Sequence, residues 1–240
     1  MAVPLHELRK LLEGRFPDAV PVTYRTAGAV ATGLGELDRV LPGGGLPRGR
    51  LAAWAPGGGA TAVLQAACLA AVERGERAAW VDGGGLVAGE FWREGPLLVR
   101  PPAAEGQGRG RAALAAAEEL LRSGGFALVV VSGVEAVGTE AVRLARAARE
   151  GGGALVMLTA GVPVAALRLR SRIAPDGYRW RRGPFGEPAE VEAVQLQVQA
   201  AAMGWSARTE LVLPVARHDL RLSLDPGLAD RRGAAVERIG

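Results

Sequence analysis

The spacing of apolar residues changes once along the chain, and the change separates two kinds of predicted secondary structure. Between residues 51 and 159, short apolar runs alternate with longer Ala-rich segments. The runs predict four strands and the segments between them predict three helices. The strands are Leu51–Ala55, Ala78–Asp82, Phe126–Val131 and Ala154–Thr159, and the helices are Thr61–Arg74, Arg111–Ser123 and Thr139–Glu150. Because strand and helix alternate, we expect an α/β fold with a mostly parallel sheet flanked by helices.

After about Ala165 apolar residues recur at every second position, which is the period of a strand with one exposed face. Leu167–Ile173, the turn Pro175–Gly177 and Tyr178–Arg182 predict a β-hairpin. The same alternation predicts three further strands, which are Val194–Gln199, Glu210–Leu213 and Leu220–Leu224. We expect these strands to extend the parallel sheet as antiparallel neighbours.

The ends of the chain differ from this central region and divide it into three parts. Residues 1–31 predict a short helix followed by an extended arm, 32–225 a single domain, and 226–240 a mobile tail. Leu5, Leu8 and Leu12 form one apolar stripe on the first helix, which packs either on the chain's own core or on a partner or second copy. The tail carries Arg231 and Arg232 and is either disordered or a short linear motif.

Composition narrows the function classes further. The net charge of +4 permits an acidic or nucleic-acid partner without requiring one. The single cysteine, Cys68, excludes a disulfide framework and a cysteine-based zinc site, and two distant histidines predict no metal site. The uncharged stretch 51–72 is interrupted by Pro56 and three glycines, so we expect a strand, loop and helix rather than a membrane span. A charged N-terminus predicts no secretion signal, and we expect a cytoplasmic protein without a membrane partner.

The glycine-rich segment between the first predicted strand and helix has the setting of a phosphate-binding loop. Such a loop needs the pattern G-x-x-x-x-G-K-[ST], whose lysine reaches the terminal phosphates and whose hydroxyl holds magnesium. Here Thr61 stands at the lysine position and Ala62 at the hydroxyl position. Gly57, Gly58 and Gly59 make either a purely structural turn or a weak anion site at a helix N-terminus. We expect no tightly bound nucleotide and no cofactor.

Two segments before this loop carry a resemblance to a known family. Thr32–Asp38, with the pattern TG-x-x-x-LD, and Gly43–Arg50, with GGLP-x-G, resemble the segments that lead into the RecA ATPase core. The order of predicted elements from Thr32 to about Leu224 fits the same core. In the RecA core that the chain resembles, a water-activating glutamate stands at the position of Gly84 and a magnesium-binding aspartate stands at the position of Ser132. This chain lacks both carboxylates. Because hydrolysis needs a cation, a metal and a water-orienting group together, we expect no enzymatic activity.

Within RecA-like proteins the chain most resembles ImuA. The N-terminal helix, the complete TG-x-x-x-LD segment, the long β-region and the closing Asp230–Gly233 carry this resemblance. The resemblance implies a non-catalytic accessory protein of SOS-induced, error-prone translesion DNA synthesis. Its implied partners are RecA and ImuB, an inactive protein similar to Y-family polymerases. The shorter SulA-type division inhibitors, related in fold to ImuA, are the alternative.

Basic and aromatic residues cluster in the predicted hairpin. Arg168, Arg170 and Arg172 share one strand face, because residues two apart point to the same side. Arg179, Arg181 and Arg182 follow, interleaved with Tyr178 and Trp180. This pattern leaves three interpretations open: an ordinary solvated face, a protein-binding face, or a groove for single-stranded DNA. A homo-oligomer is also compatible with the sequence.

Overall fold

A computed structural model describes residues 28–85, 87, 95–101 and 108–215. Its helices are α1 (Gly35–Val40), α2 (Ala60–Glu73), α3 (Arg109–Arg122) and α4 (Thr139–Gly151). The strands up to the end of the parallel region are β1 (Ala29–Val30), β2 (Leu46–Pro47), β3 (Leu51–Trp54), β4 (Ala78–Asp82), β5 (Leu97–Val99), β6 (Leu128–Ser132) and β7 (Ala154–Leu158). Three longer strands follow, β8 (Leu167–Arg182), β9 (Pro188–Ala202) and β10 (Trp205–Pro214).

Eight of these strands form one mixed sheet with the order β10-β9-β8-β3-β7-β6-β4-β5. The pairs from β8 to β5 are parallel, whereas β8–β9 and β9–β10 are antiparallel. The α/β class, the mainly parallel sheet and the antiparallel C-terminal extension are therefore confirmed. β3 and β4 are consecutive in the chain but are separated in the sheet by β6 and β7. The carboxyl end of β3 consequently lies at a crevice where the direction of connection reverses.

Helices cover the parallel part of the sheet on both faces. On β3, Ala52 and Trp54 point into a core shared with α1 and α2, whereas Leu51 and Ala53 point into a core shared with α3 and α4. This division follows from the two-residue period of a strand. The buried β6 run, Leu128–Ser132, supplies both cores and has no exposed position. The hydrophobic sequence of the central strands is thus the consequence of burial on two sides.

The predicted hairpin within residues 167–182 is wrong, because these residues form one continuous strand, β8. Its pairing register with β9 shifts between Ile173 and Tyr178, so Pro175–Gly177 makes a bulge and not a reversal. Asp176 takes the positive φ of 56° that a bulge accommodates. A Cβ at Gly177 would lie 2.8 Å from the carbonyl oxygens of Ala174 and Gln195, which shows how closely β9 packs there. The chain reverses instead at residues 183–187.

The β8–β9 reversal produces a two-stranded extension of the sheet. β10 pairs with β9 only as far as Ala193, which is also the partner of Arg179, so β8 and β9 pair with each other alone from Trp180 onward. We call residues 178–192 the hairpin arm, which begins at the last pairs that β10 still flanks. Its side chains include Tyr178 (47% exposed), Trp180 (50%) and, at the tip, Phe185 (95%).

Several predictions fall outside the described residues. These are the N-terminal helix with Leu5, Leu8 and Leu12, the strand Leu220–Leu224, and the tail with Arg231 and Arg232. Among the helices that are described, none combines the length and the apolar character needed to cross a membrane.

Candidate functional site

The glycine-rich loop joins β3 to α2 at the crevice described above. Gly57, Gly58 and Gly59 all have positive φ, at 100°, 52° and 79°. A Cβ at Gly58 would lie 2.5 Å from the carbonyl carbon of Ser171 and 2.7 Å from Cα of Arg172, both in the β8 backbone. At Gly59 it would lie 2.7 Å from a methyl group of Leu196. These glycines are required because the loop packs directly on β8 and β9.

Side-chain hydrogen bonds fix the same loop against β8. The indole Nε1 of Trp54 donates to Oγ of Ser171 at 3.1 Å. The Ser171 hydroxyl in turn donates to the Gly57 carbonyl at 3.5 Å. At the start of α2, the Ala60 amide donates to the Gly57 carbonyl at 3.0 Å. The loop is therefore bonded into the junction of β3 and β8.

The position that the RecA resemblance gives to the magnesium-binding aspartate is occupied by a neutral pair. Ser132, at the end of β6, is buried and its hydroxyl accepts a hydrogen bond of 2.9 Å from Nε1 of Trp80. Trp80 lies on the neighbouring strand β4 and is fully buried. A hydroxyl held by an indole has no negative charge to offer a divalent cation.

Asp82 is a buried carboxylate that lies opposite Ser132 on the neighbouring strand β4, and it organises the following loop. Its Oδ1 accepts from the Gly85 amide at 2.9 Å, and its Oδ2 accepts from the Val87 amide at 2.8 Å. Arg100 lies 3.7 Å from the same Oδ2. A Cβ at Gly133 would lie 2.6 Å from Cα of Gly84, so the loops after β4 and β6 are in backbone contact. Both oxygens of Asp82 thus have structural tasks.

A cavity of about 710 Å³ opens between these loops and α2. It is lined by Pro56, Gly57, Thr61, Gln65, Trp80, Val87, Ser132, Gly133, Val134, Glu135, Leu158, Thr159 and Ala160. Among these lining residues Glu135 alone is charged, and its sign is negative. The Thr159 hydroxyl is buried and has no hydrogen-bond partner among the described residues. A triphosphate placed here would find a carboxylate and, among the lining residues that the structure describes, no basic side chain.

The arginines of β8 lie where strand alternation predicts them. Arg168, Arg170 and Arg172 are exposed and alternate with buried or half-buried neighbours such as Leu167 and Leu169. Arg168 donates to the Pro163 carbonyl at 3.1 Å, and Arg172 donates to Oε1 of Gln197 at 2.7 Å. Arg170 has no hydrogen bond or ion pair to any described residue.

The hairpin arm separates its aromatic residues from these arginines. Tyr178 pairs with Val194, which packs against the core on the α1 and α2 side. The Tyr178 and Trp180 rings lie 6.3 Å apart and are tilted by 41°. Within the arm Arg181 pairs with Glu190, Arg182 donates to the Gly186 carbonyl at 2.6 Å, and Arg179 is exposed. The interleaved sequence pattern is therefore not one mixed basic and aromatic surface.

Two features of the surface were missed by sequence reasoning. Arg208 of β10 lies opposite Gln199, which in turn lies opposite Arg170. Phe185 is almost fully exposed at the reversal, which the sequence reasoning placed elsewhere. The alternation Trp205–Leu213 identifies the exposed face of Arg208, but the register that brings it near Arg170 is not readable from local pattern.

Cys68 is a buried residue of the core. It lies on the buried face of α2, and burial raises the pKa of its thiol from 9.0 to about 12. Across the described part of the chain, no cluster of His, Cys, Asp and Glu has the composition of a metal site. In comparisons with known proteins, no protein-family model and no curated protein matches this chain.

Proposed function

We propose that this protein is a non-catalytic, RecA-like accessory protein that acts by binding other proteins. Its partners in this proposal are RecA and an ImuB-like protein, and its process is SOS-induced translesion DNA synthesis. The observation that supports the non-catalytic part most strongly is the wall of the cavity beside the glycine-rich loop. That wall has Thr61 where a phosphate-binding lysine belongs and the Ser132–Trp80 pair where a magnesium ligand belongs.

The contacts of the glycine-rich loop support the same reading. Here Gly58 lies against the β8 backbone, and the Gly57 carbonyl receives the Ser171 hydroxyl. The segment stabilises the junction of β3 and β8, which accounts for its glycines without a nucleotide.

The hairpin arm is the surface that we assign to a protein partner. Tyr178, Trp180 and Phe185 are large apolar side chains that remain about half exposed or more. Tyr and Trp are enriched at the centres of protein interfaces, where their burial supplies much of the binding energy. An exposed pair of this kind on a two-stranded ribbon therefore suits an adaptor.

The test is surface-immobilised binding of purified RecA and of an ImuB-like protein to the full chain. We expect binding to at least one of them, and a loss of affinity of about tenfold or more in the Tyr178→Ala/Trp180→Ala variant. The matched control is Val142→Ala/Met203→Ala, which removes two exposed apolar side chains elsewhere. Binding of neither protein would contradict the proposal, and binding of the tubulin-like division protein instead would favour a SulA-type inhibitor.

A further inference from the structure

One face of the antiparallel extension carries no helix among the described residues. The core that α3 and α4 form with the sheet ends before β8 and includes no residue of β8, β9 or β10. The opposite face of these strands packs under α1 and α2. We call the uncovered surface the arginine face and define it by Arg168, Arg170, Arg172, Gln197, Gln199 and Arg208.

The strand register arranges this face in three parallel rows. Arg170 on β8 and Arg208 on β10 both lie opposite Gln199 on β9. Two inter-strand spacings of about 4.8 Å place Arg208 roughly 10 Å from the β8 row of three arginines. Along β8, four residues of rise make the row from Arg168 to Arg172 about 13 Å long. The arginine face is thus a shallow groove, with a volume of about 670 Å³ around Arg170 and Arg208.

The positive charge of the groove is only partly offset by the described residues. No ion pair within that part of the chain involves Arg168, Arg170, Arg172 or Arg208. The one acidic side chain among the residues that line the groove, Glu210, accepts hydrogen bonds of 2.8 Å from Gln195 and Gln197. These bonds orient the carboxylate but leave its charge. Because there are four arginines and one carboxylate, the face keeps an excess of positive charge that can attract an external anion.

We propose that the arginine face binds the phosphate backbone of a single-stranded nucleic acid. Guanidinium groups bind phosphate through paired N–H donors, and Arg208 faces the β8 row of arginines across β9, so one strand can run between them. Gln199, between Arg170 and Arg208, has an amide donor and an amide acceptor that suit base edges, which a single strand exposes and a duplex keeps paired.

This site is separate from the hairpin-arm surface that we assign to protein partners. Tyr178 belongs to the face that Val194 shares with the main core, whereas Gln197 and Gln199 belong to the opposite face of β9. The two surfaces can therefore be changed independently. Nucleic-acid binding by the arginine face therefore does not depend on whether RecA or an ImuB-like protein binds the hairpin arm.

The experiment measures fluorescence anisotropy of labelled oligothymidylate with the full-length protein over a range of salt concentrations. The variant Arg170→Gln/Arg208→Gln removes one charge on each side of β9, and both side chains are exposed, so we expect the fold to remain. Arg39→Gln/Arg146→Gln removes the same charge from exposed helix positions and is the matched control. Circular dichroism of each variant checks folding.

Wild-type protein should bind with a steep loss of affinity as salt increases. Loss of two phosphate contacts should reduce the slope of log K against log salt by about 1.4, because each contact on a single strand contributes about 0.7. At 0.1 M salt the same effect weakens binding about 25-fold, whereas the control pair should change it far less. Oligouridylate and oligothymidylate should both bind, since the proposed contacts are to the backbone.

Four results would overturn the proposal. They are absence of oligonucleotide binding at low salt, an unchanged affinity of Arg170→Gln/Arg208→Gln, an equal loss in the control variant, and tighter binding of a duplex of the same length. Displacement of the oligonucleotide by polyglutamate at lower charge concentration would assign the face to an acidic protein segment instead.

Discussion

Replacing Gly58 with alanine separates a structural role of the glycine-rich loop from a ligand-binding one. Gly58 has a φ of 52°, and its missing Cβ position lies 2.5 Å and 2.7 Å from backbone atoms of Ser171 and Arg172. The left-handed conformation costs an alanine about 1–2 kcal/mol. Because the neighbouring atoms are β8 backbone and cannot rotate away, forced displacement adds about 1–3 kcal/mol. The expected loss in the free energy of unfolding is therefore about 2–5 kcal/mol.

Gly152, which ends α4, provides the matched control. Its φ is 74° and lies in the left-handed region, so alanine there is also strained, but a Cβ would meet no atom within 4 Å. Urea unfolding followed by circular dichroism should show Gly58→Ala less stable than Gly152→Ala by about 1–3 kcal/mol. Equal stability of the two variants, or a smaller loss for Gly58→Ala, would refute the claim that this loop is shaped by packing on β8.

Two further predictions concern buried groups. Thr159→Val removes the hydroxyl of a residue that is 4% exposed, and this hydroxyl has no hydrogen-bond partner among the described residues. In urea titrations the free energy of unfolding should therefore rise by about 1 kcal/mol or stay level. A loss above about 1 kcal/mol would indicate that the hydroxyl has a partner. Because burial raises the Cys68 pKa from 9.0 to about 12, the thiol of the folded state keeps its proton to a higher pH than that of the unfolded state. The stability that this group contributes is complete below pH 9 and falls as pH rises toward 12. Over this window the free energy of unfolding of the wild type should fall more steeply than that of Cys68→Ala, and equal slopes would contradict the burial of the thiol.

Local periodicity was sufficient for the central elements. Ala78–Asp82 is a strand with the predicted bounds, and α2 and α4 begin and end within one residue of prediction. These elements are readable because each buries a continuous apolar run or a helical stripe, which the sequence displays directly. β5, at Leu97–Val99, was not predicted, since three residues at a sheet edge carry too little pattern.

Non-local contacts explain what the sequence could not provide. Pro175-Asp-Gly177 has the composition of a tight turn, yet β9 supplies a partner on both sides of it and converts it into a bulge. The close approach of Gly58 to Ser171 joins residues more than a hundred positions apart. Arg170 and Arg208 both lie opposite Gln199 because of the strand register, which only the assembled sheet defines.

The residues at the positions that the RecA resemblance assigns to nucleotide binding, by contrast, are read directly from the sequence. Thr61, Ala62 and Ser132 cannot supply the ammonium group or the carboxylate that a nucleotide site needs, wherever the chain places them. The fold shows which contacts these segments make instead. Ser132 accepts a hydrogen bond from Trp80, and Gly58 packs on β8.

The central claim is that the cavity beside the glycine-rich loop does not hold magnesium–ATP, and thermal unfolding with and without this ligand tests it most directly. If the cavity bound magnesium–ATP, this ligand at a hundred times its dissociation constant would add about 2.7 kcal/mol to the free energy of unfolding. We predict that millimolar magnesium–ATP leaves the unfolding temperature unchanged. A saturable increase that Thr61→Glu abolishes would contradict the account.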